Sequence, residues 1–384
     1  MRYFVSIVFL ILPLFCFSQI VRCGTDQYRE HLKEKGLYNY SKEDNQVYNI
    51  YDGNYNIPVV VHVLYNTEEQ NISDDRIYSQ IQTLNEDYNA LNTEIENVPE
   101  EFANIIGNAG LSFCLVQSDL EGNSFNGINR VYTDIESFNM SDDAMKKTNE
   151  GGVDAWDTSN YLNFWICNLS GNLLGFATMP GDVSPELDGV VIGHEYFGVD
   201  LSFSSPYNLG RTGTHEVGHY FNLEHTFYAG CSDWDNCDDT PPISSPTYGC
   251  PDFPQESCDA VSMTMNYMDY TDDACMSMFT SCQVDLMIDA LLSLRSSLVA
   301  NNDCSVSINN IQYSDISIYP NPVIDCLNID ITNTFVFLFD TYGRQVLSKY
   351  ITDDSFLDMS LLSSGLYMLY IANTNDIYQI IKRN

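Results

Sequence analysis

The stretch that decides the fold reads His215-Glu216-Val217-Gly218-His219-Tyr220-Phe221-Asn222-Leu223-Glu224-His225. His215 and His219 are four apart, so on a helix their rings leave the same face one turn apart. That spacing lets two imidazoles share one tetrahedral zinc ion. Glu216 sits one step round the helix, where its carboxylate reaches a water on the ion without being a ligand. His225 comes six residues after His219, too late to continue that face, so the chain must turn sharply between them. Asn222 stands at the turn, and Asn is the best residue after Gly for a left-handed backbone. Three neutral imidazoles leave a fourth position for water, whose pKa the cation lowers toward about 7.

The elements around this motif can be read from periodicity. Ile57 to Tyr65 has the apolar run of a buried strand. Ser73 caps a helix with Asp74 and Asp75 in its first turn and Ile77, Ile81, Leu84 and Tyr88 on one face. Short strands follow at Leu111–Val116, Tyr161–Asn168, Gly175–Met179 and Gly189–Ile192, separated by Gly- and Asp-rich turns. The motif helix spans about Thr212 to Phe221. Residues 226–280 are loop-like and rich in Cys, Asp, Pro and Ser. A T-x-x-Q capping box, Thr280 to Gln283, opens a last helix with Val284, Met287, Ile288, Leu291 and Leu298 on its apolar side. Composition changes at 301–314, read as a linker. Beyond it about seven short alternating strands over 315–384 predict a small β-sandwich. The expected class is α+β: residues 55–300 form a catalytic domain, with an irregular lower part after the third His.

The 384-residue chain has room for two domains. Its 16 basic against 53 acidic residues, net -37, exclude a nucleic-acid partner and suit hard cations such as calcium. Arg2, the apolar run Phe4–Phe17 and Ser18 predict a signal peptide over 1–18. No other stretch has the ~20 apolar residues that span a bilayer. Residues 19–54 are polar with little periodicity and read as a pro-segment. Of the twelve cysteines, Cys16 falls in the signal peptide, which leaves an odd number. In an exported protein these read as disulfides, and at least one must do something else.

The motif helix resembles that of the pappalysin (ulilysin-like) family of metzincins, including its internal Val and Gly and the continuation Leu223-Glu-His225-Thr-Phe227. Asn266-Tyr-Met268-Asp-Tyr270 is similar to the family's Met-turn. That resemblance makes Met268 an apolar floor beneath the zinc and Tyr270 a hydrogen-bond donor to the tetrahedral intermediate. The stretches Asp239-Thr240-Pro241 and Asp272 to Thr280 also match. They imply a calcium site at Asp235, Asp238 and Thr240, and disulfides Cys231–Cys258 and Cys250–Cys275. Cys237 with Cys282, and Cys114 with Cys167, are further pairings. Arg22-Cys23-Gly24-Thr25 resembles the switch cysteine of matrix-metalloprotease pro-segments, whose thiolate takes the open zinc position. The rival reading is a disulfide from Cys23 to Cys304 or Cys326. Tyr319-Pro-Asn-Pro322, Gly343-Arg-Gln-Val346 and Leu362 to Tyr367 resemble the sorting domain read by the Bacteroidetes type nine secretion machinery.

The resemblances imply a secreted or cell-surface zinc endopeptidase for protein or peptide substrates, with Glu216 as base. Asp272 and Asp273 suggest a preference for basic side chains beside the cut bond. Segment Leu173–Pro180 is the expected edge strand for an extended peptide. The alternative is a zinc- or calcium-binding surface adhesin without catalysis, which intact Glu216 disfavours.

Overall fold

The computed structural model describes residues 20–38, 55–232, 235–300, 316–332, 334–339, 345–352, 356–371 and 376–383. The expected signal peptide, the linker, and the pro-segment residues 39–54 and 19 lie outside them. No helix among the described residues is long and apolar enough to cross a membrane.

The catalytic part is built on a mixed sheet. Its strands are β1 (Tyr55–Tyr65), β2 (Leu111–Leu115), β3 (Ile128–Tyr132), β4 (Leu162–Cys167), β5 (Gly175–Ala177) and β6 (Val190–Gly193). The order is β2-β1-β4-β6-β5, and β3 also pairs with β1. All pairings are parallel except β5 with β6. Strand β3 is an element the sequence pattern missed; Ile128 is its only buried residue, so it carries no alternation.

Alternate residues of β1 and β4 face opposite sides. Ile57, Val59, Val61, Phe164 and Ile166 join the main core under helices α2 (Asp74–Asp87) and α3 (Arg211–Tyr220). Full burial of each such side chain is worth ~1.5–3 kcal/mol. Ser73 caps α2 by accepting from the Arg76 amide. Helices α2 and α3 cross closely at Gly213, where a Cβ would strike the Gln80 amide. On the other sheet face, Leu64, Trp165, Cys167, Phe176 and Val191 form a second cluster. That cluster is completed by Tyr28 and Leu32 of α1 (Thr25–Lys35). This pro-segment helix is a further departure from the sequence reading. Only Tyr28 and Leu32 are buried apolar side chains, too few to mark a face.

The lower part, after the third His, is irregular as expected, with one two-residue ladder between β7 (Glu256–Ser257) and β8 (Ala260–Val261). The disulfides Cys231–Cys258 and Cys250–Cys275 are formed. The pairing of Cys114 with Cys167 is not: Cys114 is disulfide-bonded, while Cys167, buried in the β4 face of the second cluster, is free. Helix α4 (Ser281–Leu294) starts with both halves of the Thr280–Gln283 capping box. It gives way at Arg295 to the short α5 (Ser296–Ala300). Arg295 is buried there, with its guanidinium 3.5 Å over the Tyr220 ring and paired with Asp188.

The C-terminal part is a β-sandwich. One sheet runs β13-β10-β9 (Phe356–Asp358, Cys326–Ile329, Ile318–Tyr319). The other runs β12-β11-β14-β15 (Gln345–Ile351, Thr334–Phe339, Gly365–Ile371, Asp376–Lys382), antiparallel throughout. Val336, Leu338, Leu369 and Ile371 alternate inward against Leu327 and Ile329.

His62 lies wholly inside the sheet, bonded through Nε2 to Asn163 Oδ1 at 3.0 Å and through Nδ1 to the Asn129 amide at 3.1 Å. Burial drives its pKa down to about 4. The unfolded chain binds that proton near pH 6.5, the native state only near 4. Stability is therefore full above 6.5 and is lost as pH falls through that window, by at most about 1.4 kcal/mol per unit. Urea unfolding of wild type and His62→Gln between pH 4 and 7 should give a shallower pH slope for the variant; equal slopes would remove His62 as the cause.

Candidate active site

Gly210, at φ 80, turns the chain into α3, and the helix carries His215, Glu216 and His219 into the interior. After Phe221 the backbone reverses through Asn222 at φ 76, the left-handed turn expected there. His225 then returns to the first two rings. Its Nε2 lies 3.2 Å from His215 Nε2 and 3.0 Å from His219 Nε2.

The other ring nitrogens identify the tautomers. His215 Nδ1 donates to the Tyr267 carbonyl and His219 Nδ1 to the Leu223 carbonyl, each at 2.7 Å. His225 Nδ1 meets Asp26 Oδ2 at 3.0 Å. With the Nδ1 protons so engaged, three Nε2 lone pairs point at one another. Burial, and then the neighbouring rings, hold His215 and His219 well below their usual pKa, so protonation does not relieve the repulsion. A cation between them does. Roughly 3.3 Å is the nitrogen separation when two imidazoles bind one tetrahedral ion at ~2.0–2.1 Å, and the observed spacing is close to it.

Cys23 Sγ joins the cluster, 3.5 Å from His219 Nε2 and 3.4 Å from Glu216 Oε2. Cys23 and the three His offer ligand atoms that all lie within 4.8 Å of one another. Burial, then the Glu216 carboxylate, push the thiol well above its usual value, so without a cation it stays protonated. A bound divalent cation reverses that preference.

Glu216 is fully buried, and burial raises it to about 8. Oε2 accepts from the Thr25 hydroxyl at 3.0 Å, while Oε1 has no partner. Beneath the helix lies Met268: a Cβ on Gly218 would come within 2.5 Å of its sulfur. Tyr270 Oη is 3.2 Å from His225 Nε2.

The pro-segment fills the cleft. Val21 forms a parallel bridge with Leu173, and the Gly24 amide donates to the Gly175 carbonyl at 2.9 Å. Thr25 Oγ1 accepts from the Ala177 amide at 3.0 Å. The expected edge, 173–180, is thus the one occupied. One residue before Cys23, Arg22 pairs with Asp273 at 3.2 Å, both side chains fully buried, with its guanidinium 4.7 Å over the Tyr207 ring. Beyond Cys23, Arg29 pairs with Asp182 and Glu224, and the Tyr28 hydroxyl donates to the Asp143 carboxylate, 2.9 Å from each oxygen. Arg22, Thr25, Asp26, Tyr28 and Arg29 carried no periodic signal. The only sequence hint was their nearness to Cys23.

At the implied calcium site, Asp235 and Thr240 are buried and bonded to each other at 2.6 Å, and Asp235 Oδ2 lacks a partner. Asp238 is exposed. Half-buried Asp239, not singled out as a ligand, also has an unpartnered oxygen.

Comparison with known proteins agrees with this geometry. Residues 146–292 match the Peptidase_M43 family, described as pregnancy-associated plasma protein-A. Residues 317–383 match a secretion-system C-terminal sorting domain. An extracellular metalloprotease of Arthroderma otae is 31% identical over 249 residues, covering 62% of this chain and 79% of its own. Mature mirolysin of Tannerella forsythia, solved with a cleaved peptide, is 46% identical with a TM-score of 0.62, covering 65% of this chain and 96% of its own. A point mutant of Tannerella forsythia promirolysin is 42% identical with a TM-score of 0.67, covering 72% and 97%. Fold, site and relatives together define a secreted or cell-surface metalloendopeptidase with a type nine sorting domain, here with its pro-segment in place. The chain belongs to the pregnancy-associated plasma protein-A family of metallopeptidases.

The phenol–carboxylate bond of Tyr28 is charge-assisted and buried, worth roughly 1.5–3 kcal/mol. Tyr28→Phe should loosen the segment and speed hydrogen exchange at the Gly24 and Leu174 amides by about ten- to a hundredfold. Unchanged exchange would mean that Tyr28 is not an anchor.

Proposed function

We propose that this zymogen matures into a zinc-dependent endopeptidase in which His215, His219 and His225 hold the metal and Glu216 is the general base. The observation that carries it is the convergence of three Nε2 lone pairs, each ring held through Nδ1 by a separate acceptor. Nitrogen donors with one sulfur in reach are a set that suits zinc. Zinc there supplies a Lewis acid that acidifies water and polarises a carbonyl.

The chain's own residues do the rest. Glu216 takes the proton of the attacking water and returns it to the leaving amine. Its raised pKa in the closed zymogen suits a group that must hold and release a proton near neutrality. The Tyr270 hydroxyl, beside His225, donates to the developing oxyanion. Met268 supports the helix from below. An extended substrate pairs with the edge at Leu173–Pro180, which the pro-segment covers until it leaves.

Latency rests on Cys23, whose sulfur takes the position that water needs, while Thr25 occupies the base. The buried Arg22–Asp273 pair supports specificity for a basic side chain beside the cut bond: a substrate arginine would meet the same carboxylate. The unpartnered oxygen of Asp235 beside Thr240 supports a calcium ion in the lower part, with Asp238 near it in sequence. The C-terminal sandwich from about 315 engages the secretion machinery, and residues 1–18 are removed on export.

Glu216→Ala should retain one zinc per chain by metal analysis and lose casein hydrolysis by 10²–10⁴-fold. Chelation should abolish wild-type activity and zinc restore it. A metal-loaded, processed wild type that cuts no peptide would overturn the assignment. Cys23→Ala should hydrolyse peptides before processing, whereas Asp273→Asn should lose at least tenfold of any preference for Arg over Leu, measured as kcat/KM on matched peptides. Equal Arg preference in Asp273→Asn would leave the acidic pocket without a role in selection.

A further inference from the structure

The lower part holds two cysteines that the catalytic site does not use, and the bond expected between them is not formed: Cys237 and Cys282 are both free thiols in this structure. Cys237 is buried, at 1% exposure, and Cys282 stands half-buried in the first turn of α4. Their sulfurs lie within 4.8 Å of each other and of an Asp239 oxygen. The Cys282 amide donates to Asp239 Oδ2 at 2.9 Å, so loop and helix start are already aligned.

We propose that Cys237 and Cys282 close a further disulfide on export, which braces the floor of the active site. The surroundings are oxidised: Cys231–Cys258 and Cys250–Cys275 are formed in the same part of the chain. The need is physical as well. From Tyr228 to Val261 the buried apolar side chains among the described residues are Cys237 and Ile243, so this stretch has almost no core of its own. A link from 237 to 282 closes a loop that contains Met268, Tyr270 and Asp273, the floor residue, the hydroxyl and the carboxylate paired with Arg22. It fixes both ends of that loop, one of them to the capped start of α4.

The chemistry needs a disulfide-bearing oxidant, such as a thiol oxidoreductase of the exporting compartment. The Cys237 thiol, bonded to Cys282, holds the latter below its usual pKa, and Cys282 is the more accessible. Cys282 therefore attacks first, breaking the oxidant's S–S bond and forming a mixed disulfide. Cys237 then attacks Cys282 Sγ and displaces the oxidant's second sulfur. The oxidant takes two electrons and both protons and leaves as two thiols.

The full chain, secreted from an oxidising host, is denatured in an alkylating agent without reductant and digested. Mass spectrometry should find the Cys237 and Cys282 fragments joined, separating on reduction. Both cysteines alkylated would overturn the proposal. If they are alkylated together with a second tightly held soft metal ion, released by an organomercurial, the cluster with Asp239 is a metal site instead. The double variant Cys237→Ser/Cys282→Ser, which strands neither thiol of the pair without its partner, should lose activity on heating at least threefold faster than wild type. A wild-type inactivation half-time would remove the bracing role. Neither readout depends on zinc or on Glu216 acting as base, so failure here is separate from failure of the proposed mechanism.

Discussion

Three imidazole lone pairs forced toward one point are the constraint on which the rest of the site depends. Such an arrangement is unfavourable by itself, because buried ring nitrogens with nothing between them are unsatisfied and repel one another. It persists because each ring is held from behind. The Tyr267 and Leu223 carbonyls and the Asp26 carboxylate accept the Nδ1 protons. These acceptors decide which nitrogen faces inward and so make the cluster a receptor for a cation. One of the three, Asp26, belongs to the pro-segment, so release of that segment changes the environment of His225 as well as uncovering it.

The pro-segment blocks the cleft with backbone and side chains alike. Its backbone bonds to the edge at Leu173–Gly175, its arginine fills the space against Asp273, and its thiol stands 3.5 Å from His219 Nε2. Tyr28 and Leu32 add a different kind of hold. They join the apolar cluster on the far face of the sheet, the Tyr28 ring 4.9 Å from that of Phe176. Polar contacts therefore set register in the cleft while apolar burial holds the helix down behind it.

Much of this was legible in the chain. The spacing of His215, Glu216 and His219 fixes one helix face through the 3.6-residue turn, and Asn222 marked the left-handed reversal that returns His225. The capping box at Thr280 and the apolar faces of α2 and α4 follow from local rules. The disulfides Cys231–Cys258 and Cys250–Cys275 came from family resemblance, since spacing leaves connectivity open. The miss at Cys114–Cys167 has that cause: Cys167 points into a cluster whose contents no local pattern reveals.

What the sequence determined alone was local: periodicity, caps, turns and the ligand spacing all act over a few residues, where backbone geometry leaves little choice. Only the tertiary structure decided what meets across distance. It brought Asp26 to His225, Arg22 to Asp273 and Thr25 to Glu216, pairs separated by scores of residues. No periodicity records such pairs, because their partners are chosen by the packing of the whole sheet and its loops.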